Sequence, residues 1–286
     1  MRWTPGRMSR NIEDRRGAPG GGIRMMGPGM GIGGVVVLLV LSLLFGQDLL
    51  EGTGEAPVTA TADGAVNSDS LDRTPEERQV RQFVSFVLDD VQGTWARVLP
   101  RYGAQYRDAK LVLFRGGVQT ACGDMPSAGG PFYCPADEKA YIDLGFYDEL
   151  RRRFGAPGDF AQAYVLAHEI GHHVQHVLGT DVRVRQVQRS QRDMANELSV
   201  RMELQADCYA GVWAHSTEQR RLLNAGDVEE GLGAAAAVGD DRIQRETTGM
   251  VRPESFTHGS SAQRMEWFKR GFESGSPEAC DTFGRS

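Results

Sequence analysis

The 286-residue chain has no excess of positive charge: 32 Lys and Arg stand against 38 Asp and Glu, a formal net charge of −6. A surface of that sign repels a phosphate backbone, which excludes nucleic acid as the main partner. The sequence also lacks any CxxC pair, so its 4 cysteines do not form a compact thiolate metal site. It shows no internal repeat, which excludes solenoids and propellers. What remains is ordinary in composition, with 40% hydrophobic and 24% charged residues. That describes a globular protein long enough for one sizeable domain with appendages.

Charge is missing locally as well. Gly27 to Gly46 carries none, six arginines precede it, and no lysine or arginine follows it until Arg73. About 20 residues at ~1.5 Å rise cover a ~30 Å hydrocarbon core. The basic flank predicts residues 1–26 in the cytoplasm, a transmembrane helix over 27–46, and everything after it outside. A cleaved signal peptide would place a small-residue site close behind the apolar run. The nearest, Ala60-Thr61-Ala62, lies too far downstream. A core helix is disfavoured by the glycines at 27, 29, 31, 33 and 34. Residues 47–73, rich in Gly, Ala, Thr, Asp and Ser, read as a flexible linker. An exported domain over 74–286 suits disulfides, and of three possible pairings the expected one is Cys122–Cys134 with Cys208–Cys280. Four buried thiols are the alternative.

Order begins at Thr74-Pro75-Glu76-Glu77, where Thr74 can cap a helix, Pro75 suits its first position and Glu77 can complete a capping box. Val80, Phe83, Val84, Val87 and Val91 then keep helical spacing to about Leu99. Leu111–Phe114 and Lys139–Leu144 read as strands, the second alternating. Further helices are expected over Phe146–Phe154, Phe160–Leu178, Ser190–Ser216, 227–237 and 261–273. Short strands followed by helices make an α+β domain.

The chemistry concentrates in Val165-Leu-Ala-His-Glu-Ile-Gly-His-His-Val174. In a helix His168 and His172 lie one turn apart and project to a common point, as zinc-binding imidazoles do. Glu169 lies beside that point and can act as general base without being a ligand. Ile170 and Val174 would bury the opposite face, and Gly171 would admit another backbone. A surface helix that merely contains histidines is the blander alternative.

A catalytic zinc needs a third protein ligand. The extended metzincin pattern would put Gly at 175 and His at 178, where this chain has Gln175 and Leu178. His176 is unsuitable, because side chains at i, i+4 and i+8 span ~12 Å of helix axis. Glu203, in Met202-Glu-Leu-Gln-Ala-Asp207, is the better candidate, with Asp207 one turn on to receive a hydrogen bond from a ligand histidine. Elsewhere such a carboxylate pair would be a solvated face. Among apolar Met202, Leu204, Ala206, Ala210 and Val212 it reads as a ligand set.

These segments, HEIGHH and ELQAD, with Ser255–Arg264 and Gly130–Asp137, together resemble a family of bacterial neutral zinc metallopeptidases along essentially the whole chain. The resemblance implies a zincin-like fold, mostly helical with a small sheet, and Zn2+ as cofactor. It implies His168, His172 and Glu203 as ligands, Glu169 as base and a peptide or protein substrate. With the uncharged run and its basic flank, the expected location is the bacterial inner membrane, single-pass, with the N-terminus cytoplasmic and the domain outside. His258, on a loop before the last helix, is the candidate oxyanion stabiliser, with Tyr209 and Tyr164 behind it and a cap or hydrogen-bond role at the start of the 261–273 helix as its alternative. An extended substrate is expected to pair with the strand at 139–144 as an edge strand. Two other functions compete: a zinc hydrolase of non-peptide envelope amides, and a membrane-tethered binding module whose zinc is structural.

Overall fold

The computed structural model describes residues 1–17, 71–126, 130–152 and 158–284. The expected transmembrane helix over 27–46 lies outside them. Among the described residues no helix is long and apolar enough to cross a membrane.

A four-stranded sheet of order β1-β2-β6-β5 lies on a helical body. Its strands are β1 (Ile12–Asp14), β2 (Lys110–Phe114), β5 (Phe132–Cys134) and β6 (Lys139–Asp143). β1, β2 and β6 run parallel, and β5 pairs antiparallel with β6. β3 (Gly117–Thr120) and β4 (Gly123–Pro126) form a separate hairpin. The helices are α1 (Pro75–Val98), α2 (Gly145–Arg152), α3 (Asp159–Val177), α4 (Thr180–Ser190), α5 (Ala195–Gln219), α6 (Asp227–Ala237), α7 (Asp240–Thr248) and α8 (Ser261–Ser274).

Two sequence expectations about the sheet are corrected. β6 is internal, with Tyr141 opposite both Val112 and Phe132, so it is not an edge strand. Ala140, Tyr141 and Ile142 are accordingly all buried, as in a strand covered on both faces. Among the described residues the edges are β1 and β5. The second correction is β1 itself. The sequence alone sets residues 1–26 apart from the domain at 74–286, yet Ile12–Asp14 extends the domain's sheet, and residues 1–17 pack on α1 and α3. Three residues without an apolar run carry no strand signal, and their place is set by the partner strand. Glu77 also departs from a capping box. Thr74 Oγ1 accepts from the Glu77 backbone at 3.1 Å, but the Glu77 carboxylate turns to the Arg73 backbone and to Arg16 and Arg115.

α3 is the central helix. Trp213 of α5 stacks on its Phe160 at 5.5 Å, and Phe268 of α8 meets its Tyr164 edge-on at the same centroid distance of 5.5 Å. Glycine sets how closely its neighbours approach. A Cβ on Gly171 would stand 3.0 Å from the carbonyl oxygen of Ala206, so α3 and α5 touch backbone to backbone there. Gly271 of α8 is tighter against α5, since a Cβ would fall 1.9 Å from the Cys208 carbonyl oxygen. The disulfides are Cys122–Cys134 and Cys208–Cys280, as expected. The first ties β5 to the hairpin, and the second fastens the chain after α8 to α5.

Gly271→Ala must force α5 and α8 apart and should lower stability by ~2 kcal/mol or more. Gly233→Ala in α6, where nothing lies within 4 Å of an added Cβ, should instead stabilise by ~0.5–1 kcal/mol. Urea melts of the two variants beside wild type check both signs.

Candidate metal centre

The α3–α5 contact at Gly171 lays the HExxH turn of α3 against Glu203 and Asp207 of α5. His168 Nε2 stands 3.1 Å from one Glu203 oxygen and His172 Nε2 stands 3.4 Å from the other. Donor atoms of these three residues all lie within 4.8 Å of one another. Two donors each ~2.1 Å from a tetrahedral zinc would stand roughly 3.4 Å apart, so the spacing fits that ion.

Each imidazole has its other nitrogen engaged. His168 Nδ1–H donates to Asp207 Oδ1 at 2.8 Å, and His172 Nδ1–H donates to Gln175 Oε1 at 2.8 Å. Both rings thereby turn Nε2 toward the shared point, the arrangement that fixes tautomer and orientation in metal sites. Gln175 is held in turn by donating to Met202 O at 2.7 Å and to Gln205 Oε1 at 3.1 Å. Gln205 donates to Cys280 O at 2.9 Å, which links the His172 support to the second disulfide.

Asp207 is fully buried and accepts from two further side chains besides His168. Arg264 of α8 clamps it with Nε to Oδ2 at 2.8 Å and Nη2 to Oδ1 at 2.9 Å, and Tyr164 donates its hydroxyl to Oδ1. Burial would raise the Asp207 pKa, but Arg264 and His168 outweigh it and hold the carboxyl below its usual range.

The electrostatics favour a cation. Burial opposes charge on His168, yet Asp207 and Glu203 push its pKa up to about 10, and His172 is raised by Glu203 against the same opposition. Glu203 is drawn well below the usual carboxylate range, with burial overcome by His172 and His168. The same carboxylates that raise the two imidazoles set up a negative field at the shared point, which favours a divalent cation there. Glu169 behaves differently. It is buried next to the cluster without being one of the converging donors, and burial raises its pKa despite the two histidines.

His258 sits on the loop between α7 and α8. Asp240 accepts from the backbone amides of Thr257, His258 and Gly259 at 2.7, 2.7 and 3.2 Å, and from His258 Nδ1 at 3.1 Å. The ring is thus fixed by one buried carboxylate, close enough to Glu203 for each to shift the other's proton affinity. The cap of α8 is Ser260, with Gln263 completing its box, which removes that role from His258. Tyr209 is corrected as a candidate: it packs edge-on to Trp95 at 5.2 Å within the core. Tyr164 serves Asp207. His176 turns away to Asp181 at 2.9 Å, and His173 bridges Tyr133 of β5 at 2.9 Å and Arg107 O at 2.6 Å.

Sequence reasoning missed Arg264, Gln175 and Asp240. Their partners lie 57, 3 and 18 residues away. Only Gln175 stood at a spacing a helix makes readable, three residues from His172.

Asp207→Asn should weaken zinc affinity ~10–100-fold while the chain still folds, and Gln175→Leu should do the same through His172. Competition with a chromogenic chelator measures both, with circular dichroism as the folding control.

The family described as "Putative neutral zinc metallopeptidase" matches residues 1–283. "Uncharacterized protein YpfJ" of Escherichia coli (strain K12) is 48% identical over 293 aligned positions, covering 100% of each chain. "Uncharacterized protein Rv2575" of Mycobacterium tuberculosis (strain ATCC 25618 / H37Rv) is 46% identical over 206 residues, 68% of each chain. No solved structure matches. With that family model matched over residues 1–283, the chain belongs to the family described as "Putative neutral zinc metallopeptidase".

Proposed function

We propose that the chain is a zinc-dependent peptidase in which His168, His172 and Glu203 hold the metal and Glu169 is the general base. One observation carries this reading. Donor atoms of three residues lie within 4.8 Å of one another, and a buried carboxylate beside them is left out of the set. A structural zinc takes four protein ligands, whereas only three residues group here among those described. The open position and the spare base favour catalysis over a tethered binding module.

Zinc held there would supply a water that ionises near neutral pH and a Lewis acid for a carbonyl oxygen. Glu169, whose burial raises its proton affinity, is suited to take a proton from that water and return it to a leaving amine. His258, fixed through Nδ1 by Asp240, keeps Nε2 for the negative charge that develops on a substrate oxygen. Of the two sheet edges, β5 is the one tied to α3, through Tyr133 and His173. An extended peptide adding to β5 would therefore lie along the helix that bears the site, which favours peptides over other amides. The two disulfides favour an oxidising compartment, outside the bacterial cytoplasm, and the uncharged run 27–46 supports membrane contact.

Metal analysis of the full-length chain should find close to stoichiometric zinc in wild type and in Glu169→Gln, and loss in Glu203→Gln. Casein hydrolysis by Glu169→Gln should fall ~10²–10⁴-fold with its zinc retained. Turnover of peptidoglycan fragments but not casein would move the reading to non-peptide amides. A wild type that binds no zinc would overturn it. His258→Ala should keep its zinc and lose ~10²–10³-fold in kcat with little change in KM, and Asp240→Asn should follow in the same direction.

A further inference from the structure

The chain leaves the described fold at Gly17 and re-enters at Leu71, and these two points touch. A Cβ on Gly17 would lie 2.7 Å from the Leu71 side chain. One residue to either side, Arg16 Nη1 donates to Asp72 Oδ1 at 2.8 Å. The apolar run 27–46 belongs to the excursion between them.

Residues 1–17 are built into the domain on three sides. β1 joins the sheet, with the Leu111 amide donating to Asn11 O at 2.7 Å and the Arg15 amide to Leu113 O at 2.8 Å. Trp3 packs on Phe83 of α1 at 5.3 Å, and Ser9 N donates to Ser85 Oγ at 2.7 Å. The Met1 ammonium lies 2.6 Å from Asp159 Oδ1 at the start of α3 and 3.3 Å from Asp227 Oδ1 of α6. Arg16 is buried between Asp14, Asp72 and Glu77. Such pairs hold only while both partners are present, because a buried charge left alone is costly.

A single crossing by residues 27–46 is incompatible with these contacts. It would put β1 on one face of the bilayer and β2 on the other. A second crossing by the return segment is excluded by its sequence, since residues 47–70 contain Asp48, Glu51, Glu55, Asp63 and Asp69 and no second apolar run. We infer that residues 1–17 and the domain from residue 71 onward lie on the same side of any membrane the chain meets. The arginines of residues 1–17 then neighbour the domain and do not mark the opposite compartment. This inference does not depend on the peptidase reading.

Cysteine labelling of the full-length chain in bacterial spheroplasts tests it. All 4 native cysteines are in disulfides, so an introduced cysteine is the single free thiol. Arg10→Cys reports on the N-terminal segment and Lys269→Cys on α8, both at exposed positions. Arg7→Cys and Glu266→Cys, also exposed, replace either one that fails to accumulate. A membrane-impermeant maleimide is added before and after lysis. Equal labelling of both sites before lysis is expected. Labelling of both only after lysis would keep the same-side inference and overturn the extracytoplasmic placement. Labelling of Lys269→Cys before lysis and Arg10→Cys only afterwards would overturn the inference itself.

Discussion

The carboxylate of Asp207, buried among three helices, is the constraint on which the site depends. An ionised group in such surroundings persists only when fully paired. Arg264 from α8 supplies two parallel hydrogen bonds, and Tyr164 and His168 from α3 supply the rest. Satisfying one carboxylate therefore fixes the spacing of α3, α5 and α8 and the ring orientation of His168 together. The glycines at 171 and 271 are the steric side of the same arrangement, since neither helix could approach α5 closely enough with a Cβ in the way.

The second histidine is held by a different kind of partner. His172 rests on an uncharged amide, Gln175, whose own donors run to α5 and on through Gln205 to the Cys280 carbonyl. The charged support thus lies under His168 and the neutral one under His172. The two imidazoles then differ in basicity although both face the same point, and the disulfide Cys208–Cys280 braces the neutral arm. Asp240 repeats the principle at His258, where three backbone amides and one imidazole share a single carboxylate.

Residues 1–17 show the same dependence on partners. Arg16 and Asp72 are both buried, and each is tolerated because the other is present. Arg81 shares Asp72 as well, so α1, β1 and the segment before α1 are joined at one ionic knot. The sheet gains a strand on the side away from β5, which leaves β5, among the described residues, as the edge next to α3.

The amphipathic spacing of α1, the HExxH turn of α3, the Glu203–Asp207 pair of α5 and the strands β2 and β6 were legible in the sequence alone, because each is encoded by residues within one or two turns or along one strand. The pairing of cysteines was legible as well. The sequence placed α5 as a longer helix from Ser190 and passed over α4 and α7, whose short and highly polar stretches carry a weak apolar stripe. It took β6 for an edge because alternation does not reveal how many neighbours a strand has. Only the tertiary structure decided that β1 belongs to the sheet, that Arg264 clamps Asp207, that Gln175 carries His172 and that Asp240 holds His258. Those interactions join groups whose partners lie on other elements or point into a shared interior, and a buried charge or amide is recognised as functional only when the donors that surround it are known.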